Sequence, residues 1–211
     1  MARILENTFI DGPAGRLEAL IEGPDDDVEI VRAVVAGHPH PLYGGTMHNK
    51  VVFRLARAAR RAGAVVLRFN FRGVGRSAGT HDAGRGEQDD VRAAMSFVQD
   101  RHPGLPLVLT GFSFGASMAL KVACSDPRVE RVAAAGTPVD RATFGFLNEC
   151  ACPKRFIQST HDEFGSLKRM EEVFAAAAEP KSLQWVEAED HFFAGGLDEF
   201  EEAARTAIAG D

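Results

Sequence analysis

The stretch Leu105-Pro106-Leu107-Val108-Leu109-Thr110-Gly111-Phe112-Ser113-Phe114-Gly115-Ala116-Ser117-Met118-Ala119-Leu120-Lys121-Val122-Ala123 decides the reading of this chain. It opens as an apolar strand-like run and closes as a helix-like run. Between them, Gly111-Phe112-Ser113-Phe114-Gly115 has the G-x-S-x-G spacing of a serine held on a sharp strand-to-helix turn. Such a turn forces the serine into a strained backbone conformation and projects its Oγ into open space. Glycines are needed two residues to either side, because a β-carbon there would collide with the neighbouring strand or helix. The start of the following helix aims free N–H groups and a positive dipole end at the same point, where an oxyanion could be held.

Outward from this turn, apolar and amphipathic stretches alternate. Strands are predicted over 3–10 and 16–22, joined by a Gly12-Pro13 turn, and over 30–36, 64–71, 105–110, 131–135, 155–159 and 182–187. Helices are predicted over 49–62, 87–101, 115–125, 166–178 and 197–209. Gly63 ends the first of these, and Glu87, Asp89 and Asp90 stand in the first turn of the second. Asp25-Asp26-Asp27 reads as a solvated loop, 73–86 as a Gly-rich loop and 137–152 as irregular. The pattern predicts one α/β domain over 1–211, a mostly parallel twisted sheet with helices on both faces and antiparallel N-terminal strands. Ligands of such sheets bind at the carboxyl ends of the strands.

The 211 residues are 45% hydrophobic, enough for one sizeable core, and 24 basic against 30 acidic residues leave a net charge of −6. That balance gives no reason to expect nucleic acid or an anionic membrane as partner. The densest basic stretch, Arg54, Arg57, Arg60 and Arg61, reads as a solvated helix face. Cys124, Cys150 and Cys152 cannot all pair and fit no zinc spacing; Cys124 reads as a small core residue. Together with an N-terminus lacking the apolar core of a signal peptide, they point to a reducing, cytoplasmic setting. No apolar run is long enough to span a bilayer.

A serine hydroxyl needs a base within hydrogen-bond reach, and the base needs an orienting acid. The loop after 155–159 supplies Thr160-His161-Asp162-Glu163, and the loop after 182–187 supplies Glu189-Asp190-His191. The chain order Ser113, Asp162, His191 is the serine–acid–histidine order of this architecture, with the histidine after the last strand and the acid after the one before. Asp162 ranks ahead of Glu163, and both ahead of Asp190, which adjoins the histidine itself. For the oxyanion, the N–H after the nucleophile is that of Phe114. A second donor is expected from Gly37-His38-Pro39-His40-Pro41-Leu42-Tyr43-Gly44-Gly45. The prolines cannot donate, which leaves His40, Leu42 or Tyr43, with the His40 backbone favoured. A metal site at His38, His40 and His48 is the rival reading of this segment; no carboxylate lies close to it in sequence.

With His38-Pro39-His40-Pro41 after the third strand, Asn70-Phe71-Arg72-Gly73-Val74-Gly75-Arg76-Ser77-Ala78-Gly79 after the fourth, the Gly111–Gly115 turn, Asp162 and Asp190-His191, the chain resembles the α/β-hydrolase superfamily over nearly its whole length. It looks most like the small bacterial esterase and dienelactone-hydrolase-like members. The resemblance implies Ser113 as nucleophile, His191 as base, Asp162 as orienting acid, and acyl-enzyme chemistry without cofactor or metal. Many members carry His-Gly after the third strand, where this chain has His38-Pro39. Many also insert a cap domain after the sixth strand; 137–152 is too short for one. An open pocket lined by Tyr43, Phe144, Phe146 and Leu147 is therefore expected, against the alternative that the loop residues pack onto the core.

The expected activity is a serine hydrolase of acyl compounds, a carboxylesterase on small esters with a small-molecule acyl substrate. Thioesterase, peptidase and a non-catalytic binding protein of the same fold are the alternatives. A competing motif, Gly73-Val74-Gly75-Arg76-Ser77-Ala78, matches G-x-G-x-x-A and would suggest a dinucleotide site. Yet no helix opens from it, and Ala93 to Phe97 lacks the ribose-binding acid. Neither the acyl and alcohol groups nor the oligomeric state is fixed by the sequence.

Overall fold

The computed structural model describes residues 4–24 and 28–210. The acidic loop expected at Asp25–Asp27 lies outside the described residues, as do the first three residues of the chain. Eight strands form one sheet: β1 (Leu5–Gly12), β2 (Gly15–Glu22), β3 (Arg32–Gly37), β4 (Ala64–Phe69), β5 (Leu107–Phe112), β6 (Val129–Ala135), β7 (Lys154–Ser159) and β8 (Lys181–Val186). Their order is β1-β2-β4-β3-β5-β6-β7-β8. β2 is antiparallel to both β1 and β4, and every other pairing is parallel.

The five helices are α1 (Lys50–Arg61), α2 (Gly86–Arg101), α3 (Phe114–Ala123), α4 (Leu167–Ala176) and α5 (Leu197–Ala209). β3, β4 and β5 are nearly all apolar because both of their faces are covered. The period of two sorts their side chains: Ala33, Val35, Val65, Leu67 and Leu109 enter the core shared with α2 and α3, whereas Val34, Ala36, Val66 and Val108 enter the core shared with α1 and α5. The expected α/β architecture is thus the one observed. No helix among the described residues is long and apolar enough to cross a membrane.

Three local expectations are corrected. β5 runs from Leu107 to Phe112 rather than over 105–110. Pro106 has no N–H for the ladder and contributes only its carbonyl, to Ala33 N at 2.9 Å, so the strand starts later and runs straight into the turn at Ser113. The arginines of α1 are not simply solvated. Glu201 of α5, 2% exposed, accepts from Arg54 Nη1 at 3.0 Å, Arg57 Nε at 2.7 Å and Arg61 Nη1 at 3.2 Å. Arg60 is itself buried.

Third, Cys124 is not a lone core thiol. It is disulfide-bonded to Cys150 across 26 residues, with the two α-carbons 4.9 Å apart, while Cys152 is free. The bond ties the end of α3 to the segment between β6 and β7. A disulfide is not the mark of a reducing compartment, so the cysteines no longer support the cytoplasmic expectation.

Candidate active site

Ser113 sits between β5 and α3 with φ 57° and ψ −114°, a left-handed conformation that a residue with a β-carbon adopts only under strain. The neighbouring strand holds it there: Ser113 N–H donates to Ala135 O of β6 at 2.9 Å. Close packing on both sides leaves no room for side chains. A β-carbon on Gly111 would lie 2.4 Å from Gly115 C, and one on Gly115 would lie 2.3 Å from Gly37 O and 2.8 Å from His38 O. The residues after β3 therefore lie directly over the turn. Phe114 is the first residue of α3, where a backbone N–H has no carbonyl one turn earlier to bond.

The sheet's carboxyl end brings the other two candidates together. Asp162 follows β7 in a tight turn in which its Oδ1 accepts Phe164 N–H at 2.8 Å and Gly165 N–H at 3.0 Å. Its Oδ2 lies 2.8 Å from His191 Nδ1. Both residues are buried, at 5% and 2% exposure. With Nδ1 turned to the carboxylate, Nε2 is the ring nitrogen left over. That atom is buried and has no hydrogen-bond partner among the described residues. The imidazole ring packs 4.7 Å from the Phe112 ring, and its Cε1 would be 3.1 Å from a β-carbon on Gly136. Phe112 precedes Ser113 and Gly136 follows the Ala135 that holds it, so the His191 ring packs on the residues that flank the serine's turn.

The other two acids take supporting roles. Glu163 Oε2 accepts His191 N–H at 3.0 Å, fixing the backbone rather than the ring. Asp190 Oδ1 accepts Ala194 N–H at 2.9 Å and closes the turn around the histidine.

In the segment after β3, His38 is wholly buried and structural. Its Nδ1 lies 2.6 Å from Pro39 O, and its Nε2 accepts Phe71 N–H at 3.0 Å. Burial pushes its pKa down to about 4, which keeps the ring neutral in that tautomer. Both nitrogens are spent, which leaves the metal reading of His38, His40 and His48 without its first ligand. His40 caps a short 3₁₀ turn, Pro41–Tyr43. Leu42 N–H donates to His40 Nδ1 at 3.2 Å, and Tyr43 N–H donates to His40 O at 3.1 Å. Of the three donors the sequence left open, only the His40 N–H has no partner among the described residues. The His40 ring is 5.1 Å from Phe114 and 5.1 Å from His81. Burial, and then the charge of His81, lower its pKa, with Glu87 pulling the other way.

Residues 40–143 match the family model described as serine aminopeptidase, S33. Over 92% of its length the chain is 33% identical to an uncharacterized protein of Rickettsia prowazekii (strain Madrid E), covering 85% of that protein. A lidless α/β serine hydrolase from Xanthomonas campestris is 33% identical, with a TM-score of 0.90 over 97% of this chain and 93% of that one. An α/β serine hydrolase homologue from Coxiella burnetii is 36% identical, with a TM-score of 0.90 over 95% of each chain. The chain belongs to the α/β serine hydrolases.

The absence of a lid in the Xanthomonas hydrolase agrees with the short segment between β6 and β7, which in this hydrolase holds one 3₁₀ turn, Gly145–Glu149. The expected pocket there is corrected. Phe144 is 4% exposed and Leu147 is fully buried; both belong to the core, with Phe146 packed partly buried against it. Tyr43 is 85% exposed, with its ring tilted against that of His40 at 4.7 Å. The aromatic surroundings come instead from Phe164, 4.8 Å from the His191 ring, and Phe192, 5.5 Å from it, both half-buried. Neither was singled out from the sequence, although one lies two residues after Asp162 and the other directly after His191.

Gly73-Val74-Gly75 is no dinucleotide cradle in this hydrolase. Glu18 Oε2 and Asn70 Nδ2 fill the space beside Gly75, and Arg72 is buried against Asp90, from its Nη2 to Oδ1 at 2.7 Å.

Proposed function

We propose that this hydrolase is a carboxylesterase of small acyl esters that works through an acyl-enzyme on Ser113. The observation that carries the reading is the buried His191 ring, anchored to Asp162 at 2.8 Å on one side, unpartnered on the other, and packed on Phe112, the residue before a serine held at φ 57°.

In the proposed cycle, His191 Nε2 takes the proton of Ser113 Oγ as the oxygen attacks the ester carbonyl. The developing oxyanion is received by the N–H groups of Phe114 and His40. The protonated His191 then gives its proton to the departing alkoxide, and the acyl group stays on Ser113. Water repeats the sequence, His191 acting as base again, and the carboxylic acid leaves. Asp162 keeps the imidazole in the required tautomer and stabilises the transient imidazolium. With no cap domain between β6 and β7 and with the Phe164 and Phe192 rings against His191, the site suits short esters that need little enclosure.

The test is p-nitrophenyl acetate hydrolysis by the wild type beside Ser113→Ala, with fluorophosphonate labelling read by mass at Ser113. Turnover and label that both vanish with Ser113 support the reading. Turnover retained by Ser113→Ala overturns it. The matched family model's name makes peptidase activity the second reading, and aminoacyl p-nitroanilides in the same assay separate the two.

A further inference from the structure

We propose that Gln158 is a positioning residue of this site: its side-chain amide holds the Asp162 carboxylate in the orientation that sets His191. The proposal rests on the reading of Asp162 and His191 as the acid–base pair. Gln158 is on β7, fully buried, and takes no part in the strand's apolar packing role. Its Nε2 donates to Asp162 Oδ2 at 2.8 Å and lies 3.3 Å from Thr137 O and 3.2 Å from Gly165 O. Its Oε1 accepts Thr137 N–H at 2.8 Å. These partners fix the amide's orientation. Turned over, its oxygen would face three acceptors and its nitrogen would face a donor.

The consequence for Asp162 follows from counting donors. Oδ1 is held by two backbone N–H groups, which locate the residue but not the plane of its carboxylate. Oδ2 has two partners, His191 Nδ1 and Gln158 Nε2. Gln158 is therefore the second donor to the very oxygen that meets the histidine, and with the two bonds on Oδ1 it fixes the carboxylate plane. As a neutral donor, it favours the ionised carboxylate without adding a competing charge. It also ties Thr137, the second residue after β6, to the turn after β7, and through Asp162 to His191 after β8, so these three strand ends share one hydrogen-bond network. The ionisable groups around this network are Asp162, His191, Glu163 on the His191 N–H, Asp140 on Ser166 N–H, His161 against Ala188 O, and Arg141 over the Phe164 ring. None of them except Asp162 bonds to Gln158.

Two variants test the proposal. Gln158→Met keeps the volume and removes the donor. Among folded molecules, kcat for p-nitrophenyl acetate and the rate of fluorophosphonate labelling at Ser113 are expected to fall about tenfold, with KM within about twofold. The low-field His191 Nδ1 proton resonance is expected to shift. Gln158→Glu can donate an O–H to Asp162 only while protonated; ionised, it places a second carboxylate beside the first. Its kcat/KM profile is therefore expected to gain an alkaline limb absent from the wild type. A merely structural glutamine would lower the melting temperature and move none of these. Folded variants with wild-type labelling rate, pH profile and His191 proton overturn the proposal. A wild type that does not label at Ser113 removes the catalytic reading instead, and the Nδ1 proton then still decides whether Gln158 orders the pair.

Discussion

A β-carbon on Gly115 would lie 2.3 Å from the carbonyl oxygen of Gly37, and the atom it would strike is backbone. The first turn of α3 and the end of β3 thus touch main chain to main chain, which brings the segment carrying His40 over Ser113. Relief of this clash requires α3 or β3 to move. Gly115→Ala is expected to cost about 1–3 kcal/mol and Gly115→Val more, read as a lower urea midpoint. Turnover of the folded fraction should fall as well, because the proposed oxyanion donors, the N–H groups of Phe114 and His40, would move apart. A Gly115→Val protein with full stability would contradict the packing.

Asp162→Asn keeps the shape of the side chain and inverts both contacts made by Oδ2. The amide oxygen can keep Phe164 N–H and Gly165 N–H, which places the NH₂ where Oδ2 was. It then faces two donors, Gln158 Nε2 and His191 Nδ1. His191 is pushed to the tautomer with its proton on Nε2, which cannot accept from Ser113. The expected loss in kcat is roughly 10³–10⁴-fold among folded molecules, beside a stability cost of about 1–3 kcal/mol from the buried donor left facing Gln158 Nε2. Steady-state kinetics beside a thermal melt check it.

Chain order and loop position made Ser113, Asp162 and His191 legible in the sequence, because each belongs to a short segment directly after a strand. The antiparallel start of the sheet was legible for the same local reason, two strands with no helix between them. What escaped depends on distance in the chain. Glu201 meets the arginines of α1 from about 140 residues away, and Cys150 reaches Cys124 only once α3 and the 145–149 turn are stacked. Phe144 looked like a pocket residue because its loop lies beyond a strand's carboxyl end, but the loop folds back and buries it. The choice among His40, Leu42 and Tyr43 needed a turn whose own carbonyl and ring consume two of the three donors.

Glu201 predicts a pH effect on stability. Burial alone would raise its pKa, but hydrogen bonds from Arg57 and Arg54, with the charge of Arg57 and a bond from Arg61, outweigh it and leave the value lowered. A carboxyl whose folded pKa lies below its unfolded one binds fewer protons when folded. Its contribution is therefore complete above the ordinary glutamate value of about 4.3 and is lost as pH falls through the lowered value. Glu201→Gln is expected to cost about 1.5–3 kcal/mol at pH 7. Urea titrations of the two proteins from pH 7 to pH 3 should converge at the acid end; a constant gap would show that the charge is irrelevant.

The His40 backbone offers a test of the oxyanion donors that spares the rest of the turn. Its φ is −53°, within reach of a proline ring, and its ψ of 123° already suits the proline that follows. His40→Pro therefore removes the N–H with little demand on the main chain. His40→Ala keeps the N–H and removes only the ring that accepts Leu42 N–H. If the backbone donor holds the oxyanion, His40→Pro lowers kcat by about 10²–10³ with KM nearly unchanged, since the bond strengthens only as negative charge develops. His40→Ala should lose far less, through a looser turn. Equal losses in the two variants would assign the effect to the imidazole and return the second donor to another residue of the segment.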